Sequence, residues 1–209
     1  ILDLFNASSE EYSLIFTSGA TASLKCIAES FQFLGSGHFV YLENNHTSVL
    51  GMRDVVEKNG AKVKSLSFND AFEIFENNGN IPLVTEETNN SLFVYPAQCN
   101  FSGLKYPLKW IQDTHNGILN SAINGKSKWF VLLDAAGFVG TSPLDLSIYK
   151  PDFVALSFYK MFGYPTGIGA LIVKNSSARF MEKVYYGGGT VSMALSSKNY
   201  HVKRECLHE

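Results

Sequence analysis

Two short runs, Trp129-Phe130-Val131-Leu132-Leu133 and Phe153-Val154-Ala155-Leu156, are apolar at every position. A strand that is apolar on both faces must be covered on both faces, as an inner strand of a parallel sheet is by helices. Each run ends abruptly in polar chemistry: the first in Asp134, the second in Ser157 and, three residues later, Lys160. A carboxylate at the mouth of a buried strand needs a partner, because an unpaired charge there is costly. The alternative is an acid that only caps the Ala135-Ala136-Gly137 turn. Lys160 stands among Phe158, Tyr159, Met161 and Phe162, before a loop punctuated by Gly163, Pro165, Gly167 and Gly169. Burial among aromatics favours the neutral amine, which can condense with an aldehyde. The same residues also suit a lysine that snorkels to the surface.

The rest of the chain repeats the strand-then-helix alternation. Tyr12 to Phe16 reads as a strand, Thr17-Ser18-Gly19-Ala20-Thr21 as a turn, and Leu24, Ile27, Ala28 and Phe31 as one buried helical face. Free N–H groups and the positive end of the dipole at such a helix start suit an anion. Taken alone, TSGAT also describes an ordinary N-cap. Phe39 to Leu42 is a strand followed by Glu43-Asn44-Asn45-His46-Thr47, which places His46 on a strand-to-helix loop, where open α/β sheets gather their ligands.

Further along, Lys62 to Phe68 alternates as a strand and Ala71 to Phe75 forms a short helix, while residues 77–90 read as a polar loop. Ser91 to Tyr95 is a strand that runs into Pro96-Ala97-Gln98-Cys99-Asn100, and Pro107 opens a helix through Trp110 and Ile111. Ile168 to Val173 reads as a strand, Ser176 to Val184 as a helix and residues 187–190 as a flexible loop. The charged tail from Asn199 is compatible with a helix. The pattern predicts an α/β domain with a largely parallel central sheet flanked by helices, carrying functional groups at strand ends.

Composition removes several classes of function. With a net charge of -2 and 17% charged residues, the chain has no excess of positive charge for nucleic acid. No apolar run approaches the roughly 18 residues of a membrane span. Cys26, Cys99 and Cys206 are widely spaced and odd in number, which fits neither zinc nor a disulfide framework and suits a reducing, cytoplasmic setting. The chain opens at Ile1 in mid-pattern and ends without a cap, as a piece of a longer protein would.

An anion-binding turn, a loop histidine, a strand-end acid and a lysine together match the needs of pyridoxal 5'-phosphate. Its phosphate suits a helix N-terminus, its aldehyde a lysine and its pyridinium nitrogen a carboxylate, while the flat ring can stack on an imidazole. A dinucleotide is a poor alternative, because no G-x-G-x-x-G opens the first helix.

The run VLLDAAGFVGTSPLDLSIYKPDFVALSFYKMFGYPTGIGALIV, with its aspartate 26 residues before the lysine, resembles the class V aminotransferase-like enzymes of fold-type I, the cysteine desulfurase group. FTSGAT and His46 match that group too. More narrowly, NNHTSVLGMR, PAQCNFSGLKYPL, SFYKMFGYPTGIGAL and YYGGGTV resemble the N-terminal part of the eukaryotic molybdenum cofactor sulfurase family. The resemblance implies that Lys160 bonds the cofactor, Asp134 holds its pyridinium proton and His46 stacks on its ring. It further implies that Gly19, Ala20, Thr21 and Ser157 bind the phosphate and that Asn100 reaches the ring hydroxyl.

Implied likewise are L-cysteine as sulfur donor, alanine and an enzyme persulfide as products, and molybdenum cofactor as acceptor on a C-terminal domain. In that picture residues 1–209 are the large domain of a homodimer, with an N-terminal segment, the small domain and the C-terminal domain outside it. The sulfur-carrying cysteine would also lie beyond residue 209. Two positions depart from the bacterial pattern, Tyr159 in place of histidine and Gly137 in place of glutamine. A desulfurase feeding iron-sulfur clusters or thiolation, and a non-catalytic scaffold of the same fold, are the competing readings; a scaffold has no use for Lys160 and Asp134 together.

Overall fold

The computed structural model describes residues 1–77, 89–164, 166–187 and 189–204. Its first elements are a 3-10 turn at Leu2–Phe5, β1 (Tyr12–Thr17), α1 (Ala20–Ser30), β2 (His38–Leu42), α2 (Thr47–Leu50), α3 (Arg53–Lys58), β3 (Lys62–Leu66) and α4 (Phe68–Asn77). There follow β4 (Asn90–Pro96), α5 (Trp110–His115), α6 (Asn120–Ile123), β5 (Lys128–Asp134), β6 (Phe153–Ser157) and α7 (Phe158–Phe162). The last are β7 (Gly169–Lys174), α8 (Asn175–Ala178), β8 (Val191–Ala194) and β9 (His201–Lys203).

Seven strands form one sheet in the order β1-β7-β6-β5-β4-β2-β3, and β8 pairs with β9 in a separate hairpin. From β3 to β6 every pairing is parallel; β7 alone runs against its neighbours, β6 and β1. The mostly parallel sheet follows from the alternating burial of its inner strands. In β5, Val131 and Leu133 pack into one face and Phe130 and Leu132 into the other; in β6, Val154 and Leu156 face away from Phe153 and Ala155. One face is covered by α1 through Leu24, Ile27, Ala28 and Phe31, and the other by α4 and α5 through Phe75, Trp110 and Ile111. Such a strand has no polar side, so its sequence is apolar throughout.

Register then sets what meets at the end of the sheet. Thr17 lies opposite Gly169, and Gly169 opposite Ser157, so the turn after β1 is carried next to the start of α7. In the same way Pro96 lies opposite Asp134, and Asp134 opposite Ala155. A Cβ on Gly169 would stand 2.3 Å from the Leu156 carbonyl and 2.6 Å from the Gly19 Cα, so only glycine allows the turn to close on the sheet here.

Several local expectations need correction. Phe68 is not the end of a strand: Ser67 accepts from the Asp70 amide and donates to its carboxylate, which starts α4 at Phe68. The predicted helix from Ser176 to Val184 stops at Ala178, because Met181 bridges to Phe31 in extended form. The tail from Asn199 contains strand β9 rather than a helix, and the loop expected over residues 77–90 lies mostly outside the described residues. Among the described residues no helix is long and apolar enough to cross a membrane.

Candidate active site

At the carboxyl edge of the sheet lies a cavity of about 160 Å³. All eight residues singled out from the sequence line it: Gly19, Ala20, Thr21, His46, Asn100, Asp134, Ser157 and Lys160. They come from five separate segments, brought together by the register of β1, β7, β6, β5 and β4 and by the loop after β2.

Gly19 caps α1 with φ 121° and ψ 174°, a conformation closed to other residues. The carbonyl it presents is used by Ala22, Ser23 and Thr17. The amides of Ala20 and Thr21 have no acceptor among the described residues, which leaves the start of this eleven-residue helix able to receive an anion. Ser157 faces the same space. It is 4% exposed, and its hydroxyl has no hydrogen-bond partner among the described residues.

Asp134, 3% exposed, accepts from the Ala136 amide through Oδ1 at 3.1 Å, and no other hydrogen bond reaches its carboxylate among the described residues. Burial pushes its carboxyl above the ordinary value; the Ala136 amide and the charge of Lys160 oppose that push without cancelling it. The second oxygen is therefore an acceptor at the pocket wall whose charged form a protonated ring nitrogen would stabilise.

Lys160 sits on α7, not on the strand itself, and the aromatic wall expected around it does not close. A helical turn sends consecutive side chains in different directions. Tyr159 is 44% and Phe162 63% exposed, and Phe158 packs against Phe16 and Phe162 instead. The amine is half-buried and donates to Asn100 Oδ1 at 2.6 Å. The buried ionisable group of this site is Asp134. Gly137 gives Asn100 its room, since a Cβ there would lie 3.1 Å from Asn100 Oδ1 and 3.2 Å from the Gln98 carbonyl. Tyr159, the other departure from the bacterial pattern, lines the cavity.

These parts can hold an anion, present an amine and accept a proton from a ring nitrogen within one pocket. Residues 1–205 match the family model described as Aminotransferase class-V. The chain belongs to the class-V aminotransferase family. Within the family, it is 47% identical over 222 residues to molybdenum cofactor sulfurase of Bombyx mori and 50% identical over 210 residues to molybdenum cofactor sulfurase 3 of Aedes aegypti. Both alignments cover 100% of this chain but only 27% and 26% of those proteins, so the chain spans about a quarter of the length of these relatives. The cysteine desulfurase CsdA of Escherichia coli shares the fold, with a TM-score of 0.71 at 20% identity, over 97% of this chain and 48% of that one.

This class-V aminotransferase pocket also contains groups that sequence reading missed: Ser18, Leu24, Ser48 and Ala136. Ser48 touches two of the predicted residues, because His46 N-caps α2 and accepts from the amide two residues on. Its hydroxyl lies 2.9 Å from His46 Nδ1 and 2.7 Å from Thr21 Oγ1, and its amide donates to the same Nδ1 at 3.2 Å.

The cysteines stand apart. Cys99 is buried and does not line the pocket; burial pushes its thiol up, but the Ser102 hydroxyl and the amides of Ser102 and Phe101 outweigh that and bring it below the ordinary value. Cys26 lies half-buried on α1, where burial raises its thiol. Cys206 falls outside the described residues.

Proposed function

We propose that this chain is the pyridoxal-phosphate-binding large domain of a molybdenum cofactor sulfurase. The full protein would take sulfur from L-cysteine, release alanine and carry the sulfur as an enzyme persulfide to molybdenum cofactor. The observation that carries the reading is the convergence of the eight residues on one cavity, joined to 47% and 50% identity with proteins named for that activity.

The donor set fits the cofactor. Ala20 and Thr21 offer unpaired amides, Ser157 offers an unpaired hydroxyl, and Asp134 has an oxygen without a partner among the described residues. Asp134 would hold the proton on the pyridinium nitrogen, the α1 turn and Ser157 would hold the phosphate, and His46 would lie against the ring. When bound, the cofactor supplies an electron sink for the amino-acid substrate. Lys160 would bond the cofactor and, once released, act at Nζ as the acid and base for proton shifts. Asn100 Oδ1 would receive the released amine, as it does in this structure at 2.6 Å. Residues outside this chain, in a small domain and a partner subunit, would complete the site. A C-terminal domain would hold the acceptor, and the protein would work as a homodimer in the cytoplasm.

The second reading is a desulfurase whose sulfur feeds iron-sulfur clusters or thiolation, and the fold shared with CsdA, a cysteine desulfurase, suits it equally. The test is to give the full-length protein L-cysteine and follow alanine release together with sulfuration of molybdenum cofactor. Alanine released with sulfur on the cofactor, and both lost in Lys160→Ala, is the expected result. Alanine with no sulfur on the cofactor favours the second reading, and no alanine at all removes both.

A further inference from the structure

Ser48 is hydrogen-bonded to two parts of the pocket, Thr21 at the α1 turn and His46. We propose that Ser48 is a positioning residue that holds His46 in competition with anion binding at the α1 turn. The proposal rests on the reading of that turn as the phosphate site. An independent mark of a ligand there is Ser157, 4% exposed, lining the same cavity with a hydroxyl that has no partner among the described residues.

The argument is one of counting protons. His46 Nδ1 accepts from the Ser48 amide at 3.2 Å, so Nδ1 carries no proton and Nε2 does. Nδ1 then shares its single lone pair between that amide and the Ser48 hydroxyl, which donates across the 2.9 Å contact. That uses the only proton of Ser48, so the 2.7 Å contact with Thr21 must be a donation from Thr21 Oγ1. The order is Thr21 to Ser48 to His46, and Thr21 has no proton left for an anion. For Thr21 to turn its O–H to a phosphate, one bond of the chain must break. If Ser48 keeps its proton on Nδ1, two oxygens face each other without a hydrogen between them; if it turns to Thr21, His46 keeps only the backbone amide. Asp134 and Lys160 also interact with this end of the pocket, but neither is hydrogen-bonded to Ser48 among the described residues.

Removal of the Ser48 hydroxyl therefore frees the Thr21 proton, and the sign of the effect is unusual. Ser48→Ala should bind an anion more tightly, by about two- to tenfold, the worth of one ordinary hydrogen bond. The probe is inorganic phosphate, titrated calorimetrically into full-length protein stripped of cofactor with hydroxylamine. The expected pattern is tighter binding in Ser48→Ala, wild-type affinity in Ser48→Thr, weaker binding in Thr21→Val, and no effect of Ser48→Ala once Thr21→Val is present. Unchanged or weaker binding in a Ser48→Ala protein that melts like wild type overturns the role of Ser48, and so does a tightening that survives Thr21→Val. If wild-type protein binds no phosphate at all, the anion-turn reading itself falls, and this inference with it.

Discussion

The Lys160 amine is held 2.6 Å from Asn100 Oδ1, and Gly137 lies close beside that oxygen, which is 3.1 Å from where a Cβ at 137 would stand. A side chain at 137 would press on Asn100 Oδ1 and on the Gln98 carbonyl, and each would have to give by a few tenths of an ångström.

Gly137→Gln should therefore not improve the site. The new side chain displaces Asn100 and leaves Lys160 without its acceptor, with a stability change of about 1–3 kcal/mol from overpacking. Cofactor affinity measured by fluorescence should fall in Gly137→Gln and in Asn100→Ala alike. An affinity gain in Gly137→Gln would show that Asn100 does not hold the lysine.

Gly169→Ala puts a Cβ against backbone atoms on two sides, the Leu156 carbonyl and the Gly19 Cα. Neither can rotate away. Overpacking of this kind costs about 1–3 kcal/mol or more. The urea midpoint should drop accordingly, and phosphate binding should weaken because Gly19 carries the anion turn. A wild-type midpoint would contradict the close approach.

Asp134 makes a pH prediction whose sign is set by its raised carboxyl. Between the ordinary aspartate value of 3.8 and the raised folded value, the native state binds more protons than the unfolded one. Stability contributed by this group is therefore lost as pH rises through that window. In cofactor-free protein, Asp134→Asn should remove this fall, so the difference between wild type and variant in urea unfolding should grow with pH across the window and then level off. A constant difference would mean that burial does not disfavour the charge. In cofactor binding the order should reverse, with Asp134→Asn the weaker protein.

A second buried acid serves the fold and not the site. Asp152 precedes β6 on the edge opposite the pocket, where it accepts from the Val131 amide at 2.8 Å and the Ser177 hydroxyl and pairs with His115 at 2.7 Å. Asp152→Ala leaves these donors unpaired and should cost about 3 kcal/mol or more. The measurement is urea unfolding with and without phosphate. Stability should fall with little change in phosphate affinity, the converse of Ser48→Ala.

The sheet was legible because strands covered on both faces are apolar throughout, as WFVLL and FVAL are. The site was legible because Asp134, Ser157 and Lys160 follow such strands directly. What the sequence hid depends on direction and on distant partners. Periodicity could not show that α7 leaves Tyr159 and Phe162 exposed, because bulky residues on both sides of Lys160 suit a wall or a helix equally. Ser48 could not be read as part of the pocket without knowing that α2 starts beside α1. The early end of α8 is set by the pairing of Met181 with Phe31, far away in sequence, which leaves no local signal.

The central claim is that Lys160 bonds pyridoxal phosphate in this pocket. Full-length protein should be incubated with the cofactor, reduced with borohydride and digested, and the modified peptide identified by mass spectrometry alongside the visible absorption spectrum. The account predicts an absorption band that borohydride abolishes, with the label on the peptide containing Lys160 and none in Lys160→Ala. A label on another lysine, or no band and no label with cofactor in excess, would contradict it.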